Sequence, residues 1–272
     1  MRLVSCVLCC ALFATLTPAD DKKPADGKWV TVKGRVVFPK DKPVPKRAEL
    51  EVTTDKAHCT KDGPILDETI IVNEKNRGIK SVVVWLRPDE KDAKAKFTKD
   101  QIHPDDAKRK PAQVVIDQPC CMFVNRVTCG RVGDTLVVKN PAPVPHNFFW
   151  SSSNNGTFNI VVPKMDQWVM QDPDAKEPRK LVAESGPIQY KCTIHGWMTG
   201  YVRIFEHPYY AVTDENGHFE IKNAPAGKFR IVYWHENGLR GGNDGRFGEP
   251  ITLTGPTTEL KPTDFDVSPK KQ

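Results

Sequence analysis

"YKCTIHGWMTGYV", residues 190–202, sets a thiol, an imidazole and a thioether at the spacing Cys-x-x-His-x-x-Met, with a strand-like tail behind them. Three readings are open. Cys192 is a nucleophile with His195 as its base. Or Cys192, His195 and Met198 are unrelated members of a packed core. Or they are three ligands of one ion. A nucleophile has no use for Met198, and no short reactive-cysteine signature surrounds Cys192. The ligand reading needs a further donor. "NPAPVPHNFFW", residues 140–150, supplies it in His146, at the mouth of a strand. Two imidazoles, one thiolate and one weak thioether suit copper. The sulfur favours Cu(I), the imidazoles satisfy Cu(II), and a weak axial Met spares the ion a change of geometry between the two. Zinc takes a stronger fourth ligand than methionine.

The surroundings bound these readings. The chain has 272 residues, 39% of them hydrophobic, which is enough for one large or two modest domains. Prolines number 23 and helical periodicity is scarce, so the expectation is β-structure joined by turns. The start, "MRLVSCVLCCALFATLTPADDKK", reads as a secretory leader cleaved near Ala19. No other apolar run approaches the ~18 residues that span a bilayer. An exported protein, periplasmic or extracellular, is therefore expected. The formal charge of +6 is spread over Lys-rich loops with no basic stripe and no interleaved aromatics, so nucleic acid is not an expected partner.

Eight cysteines agree with export. Cys6, Cys9 and Cys10 fall in the leader, leaving Cys59, Cys120, Cys121, Cys129 and Cys192. An odd count outside the cell leaves one thiol with another task, and Cys192 is the candidate. A bond between the neighbours Cys120 and Cys121 is strained, so one of them pairs with Cys59; Cys59–Cys121 is the expected disulfide. Cys129 then pairs with Cys120 or stays free.

Strand signals run along the chain: "WVTVKGRVVF" (29–38), "AELEVT" (48–53), "TIIV" (69–72) and "KSVVVWL" (80–86). A charged stretch, 87–111, reads as a surface loop with at most a helical turn. From residue 112 short strand signals recur between turns, including "KLVAE" (180–184), the pattern of a sandwich or barrel. The end, "AVTDENGHFEIKNAPAGKFRIVYWHENG" (211–238), has two strands across an Asn-Gly turn and a third after "APAG". The glycine-rich "GLRGGNDGRFGEP" (238–250) reads as a flexible loop, and the tail, 266–272, as disordered.

Residues 112–206 resemble the cupredoxins, the fold of plastocyanin, pseudoazurin and amicyanin. Gly133, Asn140, His146, Asn147, Tyr190, Cys192, His195 and Met198 carry the resemblance, and the short ligand loop is of the amicyanin kind. The resemblance implies a Greek-key β-sandwich binding one type 1 copper ion through His146, Cys192, His195 and Met198. Asn147 and Thr193 would tie the two ligand loops together. It also implies that His195 lies nearest to solvent, with Ile194 and Trp197 forming an apolar docking face for a redox partner; the positive charge points to an acidic one. Two further stretches, "GRVVFPKDKPVPKRAELEV" and the region 211–236, resemble two parts of one carboxypeptidase-regulatory-like β-sandwich, a non-catalytic module.

The whole is then expected to be all-β, a cupredoxin with an accompanying smaller sandwich. The expected order is a leader (1–19), a linker (20–28), N-terminal strands (29–86), the charged loop, the copper domain (112–206), the regulatory-like domain (207–265) and the tail. The expected function is electron carriage, not enzymatic turnover. Multicopper oxidase chemistry needs His-x-His pairs, which are absent from the sequence. Two alternatives stand beside electron carriage: a binding module for glycan or protein with a structural copper site, and copper handling.

Overall fold

The computed structural model describes residues 28–90, 92, 94–172 and 174–269. The expected leader with its three cysteines, nearly all of the linker and the last three residues of the tail lie outside the described residues. The chain is almost entirely β, with seventeen strands and only short helical turns among the described residues.

The first pair of sheets joins the two ends of the chain. β1 (Trp29–Val37) alternates, burying Val30, Val32 and Val36 while its polar partners face outward. It runs antiparallel to β12 (His218–Pro225), with Lys33 opposite Glu220 and Gly34 opposite Phe219. On its other side it pairs parallel with β16 (Thr257–Glu259) and β17 (Thr263–Asp264). The facing sheet centres on β13 (Gly227–His235), flanked by β2 (Val83–Pro88) and β15 (Glu249–Leu253), with β11 (Tyr210–Val212) beyond β2 and the short β14 (Gly238–Leu239) extending β13. Between them lies a core of Val32, Phe38, Ile79, Leu86, Phe219, Ile231, Tyr233 and their neighbours.

The second pair occupies the middle of the chain. One sheet has the order β4 (Val127–Arg131), β10 (Thr199–Phe205), β9 (Ile188–Lys191), β6 (His146–Ser152), β7 (Gly156–Val162). The other is β3 (Gln113–Asp117), β5 (Thr135–Asn140), β8 (Asp166–Val169). Trp150, Tyr190, Phe148, Leu136 and Ile116 fill the space between them and are fully buried.

β2 is buried along its whole length because each face meets a different core. Val84 and Leu86 point into the first core; Val83 and Trp85 point into a third, with Val232, Val127 of β4 and Phe205 of β10. This third core bonds the two sheet pairs face to face. A continuous apolar run is the expected signature of such a two-sided strand.

Several stretches differ from the sequence expectation. "AELEVT" and "TIIV" form only isolated bridges, Glu49 to Leu66 and Val72 to Ile79. "KLVAE" makes no strand; its backbone bonds to the turn at Gly133–Asp134 instead. The charged stretch 87–111 does contain helical turns (Lys99–Gln101 and Pro104–Ala107), but it is not merely a surface loop. Phe97 and Ile102 pack on the first core, and Phe97 lies 4.9 Å from the Tyr209 ring. The glycine-rich loop is ordered into β14 and a 3₁₀ turn, Gly242–Phe247. Gly245 is required there, since a side chain would sit 1.9 Å from the Arg240 carbonyl oxygen. Val267, assigned from sequence to a disordered tail, is buried in the first core, and its carbonyl accepts from Asn237 Nδ2 at 2.7 Å.

Candidate metal centre

The site sits at one end of the second sheet pair and is built by two loops. The first is 140–146. Three prolines, Pro141, Pro143 and Pro145, deny the backbone donors a ladder would need, so β6 cannot begin before His146. Asn140 holds the loop in shape. Its buried amide donates to the carbonyls of Val144 (2.9 Å), Val162 (3.0 Å) and Pro163 (3.1 Å), and its oxygen accepts from Ala142 N–H. The second loop, 192–198, closes the β9–β10 hairpin. Cys192 N–H donates to the Met198 carbonyl (3.1 Å) and Met198 N–H to the His195 carbonyl (2.9 Å), so the Cys-x-x-His-x-x-Met spacing becomes a tight closed turn.

These loops bring the four sequence-derived residues together. His146 Nδ1 and His195 Nδ1 are 2.9 Å apart, and Cys192 Sγ is 3.8 Å from His195 Nδ1. One donor atom from each of His146, Cys192 and His195 falls within 4.8 Å of the others. Met198 is fully buried in the same core. Asn147 N–H and His195 N–H both point at the Cys192 sulfur, each at 3.4 Å, which stabilises negative charge placed there. The Asn147 side chain spans the two loops: its oxygen accepts from Thr193 N–H and its nitrogen donates to Asn159 Oδ1 at 2.7 Å.

Burial decides the protonation of the imidazoles. It pushes His146 down to about 4, with His195 and then His58 adding to the effect. His195 is also lowered, chiefly by burial, against an opposing pull from Asp55. Both rings are therefore neutral near pH 7, the form that ligates metals. Two neutral imidazoles aim Nδ1 at one point beside a sulfur, and His146 Nε2 is buried without a partner. Ligand bonds of about 2.0–2.3 Å would connect all three atoms to one ion. The donor set fits copper.

One expectation about the surface requires correction. His195 is not open to solvent; it is 0% exposed. The excursion 48–67, pinned by Leu50 N–H to the Ile65 carbonyl and Asp67 N–H to the Ala48 carbonyl, crosses from the first sheet pair and covers it. Asp55 Oδ2 lies 3.0 Å from His195 Nε2. Four residues later, Cys59 is joined to Cys121 by a disulfide. Cys120 and Cys129 are free, the first exposed. Trp197 and Ile194 are half-buried and pack on the second core, and Trp197 Nε1 donates to the Cys121 carbonyl at 2.9 Å. The chain's own cap thus stands over His195, while Trp197 and Ile194 stay partly exposed.

Asp55 and His58 were missed by sequence reasoning. His58 Nε2 is buried without a hydrogen-bond partner, and the ring is close enough to lower both His146 and His195. The signal was indirect: pairing Cys59 with Cys121 necessarily carries residues 55–59 to the ligand loops.

No family model and no curated protein matches the chain. Among solved structures, it is similar to an oxidised proline-to-alanine mutant of amicyanin, 22% identical over 36% of this chain and 87% of that one, with a TM-score of 0.28. The Cu(I) form of a methionine-to-alanine mutant of amicyanin gives the same figures. A reduced tryptophan-to-tyrosine mutant is 18% identical over 44% of this chain and 97% of that one, again with a TM-score of 0.28. What the chain itself displays is an all-β molecule whose middle strands end in a buried cluster of two histidines and a cysteine, with Met198 buried in the same core.

Proposed function

We propose that the protein is an exported copper protein of the cupredoxin kind, which holds one ion on His146, Cys192, His195 and Met198 and carries single electrons between redox partners. The observation that carries this reading is the convergence of His146 Nδ1, His195 Nδ1 and Cys192 Sγ in a fully buried pocket. Bound copper would supply a one-electron couple. The chain's part is to hold the donors still in both oxidation states. Asn140 stiffens one loop, Asn147 links it to the other, and Asp55 orients the His195 ring through Nε2. On this reading residues 112–206 are a copper domain inserted into a regulatory-like sandwich, whose two parts meet where β1 pairs with β12.

The test is reconstitution with Cu(II). One equivalent per chain should give an intense visible band, because sulfur-to-copper charge transfer requires the thiolate. Cys192→Ser should abolish the band. A colourless wild-type protein, or colour that survives Cys192→Ser, removes the reading.

The cap over His195 favours a second reading, copper handling. A ligand set with no exposed member is suited to retaining an ion. Tight Cu(I) binding without reversible oxidation at an electrode would select it.

A further inference from the structure

The cap is itself built of metal-binding side chains. Sγ of Cys59, Sγ of Cys121 and a ring nitrogen of His195 lie within 4.8 Å of one another. Asp55 closes the same corner through His195 Nε2. Cys121 and His195 are fully buried and Cys59 nearly so. Cys121 is held in place by Trp197, whose indole N–H donates to its carbonyl. Cys59 instead ends a four-residue helix whose Lys56 and Ala57 are exposed, so the outer sulfur rides on a short surface segment. The disulfide joins these two sulfurs and so withholds them from a cation.

We propose that this cluster is a second, redox-gated copper site: once the Cys59–Cys121 bond is reduced, its two sulfurs bind one Cu(I) beside His195, outside the inner ligand set. The step balances with a small-molecule thiol as reductant. Two thiols supply two electrons and two protons; the protein S–S bond breaks, the reductant's S–S bond forms, and Cys59 and Cys121 become thiols. Cu(I) then displaces both protons and takes the two thiolates, the soft ligands it prefers. His195 walls the site without serving as a donor, its Nδ1 turned to the inner set and its Nε2 to Asp55. The outer and inner sites share His195 as a common wall, so an ion at the cap is one imidazole away from Cys192. That arrangement gives the copper-handling reading a loading position, but the outer site does not depend on the inner one being a copper site.

The experiment uses the full mature chain carrying Cys120→Ser, which removes the exposed thiol. Bound Cu(I) is counted anaerobically by competition with a chromogenic Cu(I) chelator, before and after dithiothreitol treatment and desalting. Reduction should add one Cu(I) per chain. The gain should persist in Cys192→Ser and vanish in Cys59→Ser/Cys121→Ser, which should show the same count under both conditions. No gain on reduction, or a gain that survives Cys59→Ser/Cys121→Ser, overturns the proposal. Failure of the inner site reads differently: oxidised parent and oxidised Cys192→Ser would then bind equal amounts. Should the double variant fail to fold, alkylation mapping of the reduced parent decides. Cu(I) should protect Cys59 and Cys121 from iodoacetamide, and unprotected cysteines there refute the site.

Discussion

His195 turns its two ring nitrogens to two different tasks. Nδ1 faces His146 and Cys192; Nε2 meets the carboxylate of Asp55. A carboxylate on the far nitrogen fixes the tautomer and the ring plane and makes the near nitrogen a better donor. Asp55→Ala should therefore keep the fold but weaken copper binding by about 10- to 100-fold, read by chelator competition. Unchanged affinity would mean that the contact only closes the cap. The candidate donors Cys192, His195 and Met198 and their spacing were legible in the sequence because they are local to one turn. Asp55 was not, because 140 residues separate it from His195 and only the folded cap brings them together.

At the scale of elements, the β9–β10 hairpin carries the ligand turn and depends on a fit between two residues. Gly200 lies opposite Tyr190, whose ring is fully buried against Phe123 and Phe148. A Cβ on Gly200 would stand 2.4 Å from that ring. Tyr190 has no free space to retreat into, so Gly200→Ala should cost about 1–3 kcal/mol in denaturant unfolding. A neutral result would show that the ring moves freely. Strands with clean alternation, such as β1 and β12, were readable. "AELEVT" and "TIIV" have strand composition but belong to the excursion 48–67 and its exit, whose apolar residues serve to cover another core. Leu50 and Val52 pack against the second core, Ile70 against the first.

At the scale of the molecule, strands from both ends of the sequence complete one another. β12 has β1 as its partner, and β13 lies between β2 and β15. Residues 207–272 expressed alone should therefore be unfolded by circular dichroism, having neither β1 nor β2; a cooperative melt would refute this. Acid should also loosen the whole. His235 is buried and pushed down to about 4, mainly by burial and then by Arg126, and its Nδ1 accepts Asn237 N–H. His207, lowered to about 3 by burial, accepts Tyr209 N–H in the same way. The unfolded chain binds protons at these rings near pH 6.5, the folded chain only far lower, so stability present above pH 6.5 is lost as pH falls toward 4. The thermal midpoint should drop across that window. A flat profile between pH 7 and 4 would contradict the buried, neutral state of these rings.

The sequence by itself determined the all-β class and singled out His146, Cys192 and His195, which the fold gathers at one point. These rest on local chemistry: alternation, turn residues, and a thiol, imidazole and thioether within one tight loop. Only the tertiary structure decided that the cluster is closed to solvent, that β2 is buried on both faces, and that Asp55 stands against His195. Those outcomes depend on which distant segments lie against which surface. The same Asp55, Cys59 and Trp197 would be unremarkable surface or core residues in any arrangement that left the excursion 48–67 elsewhere.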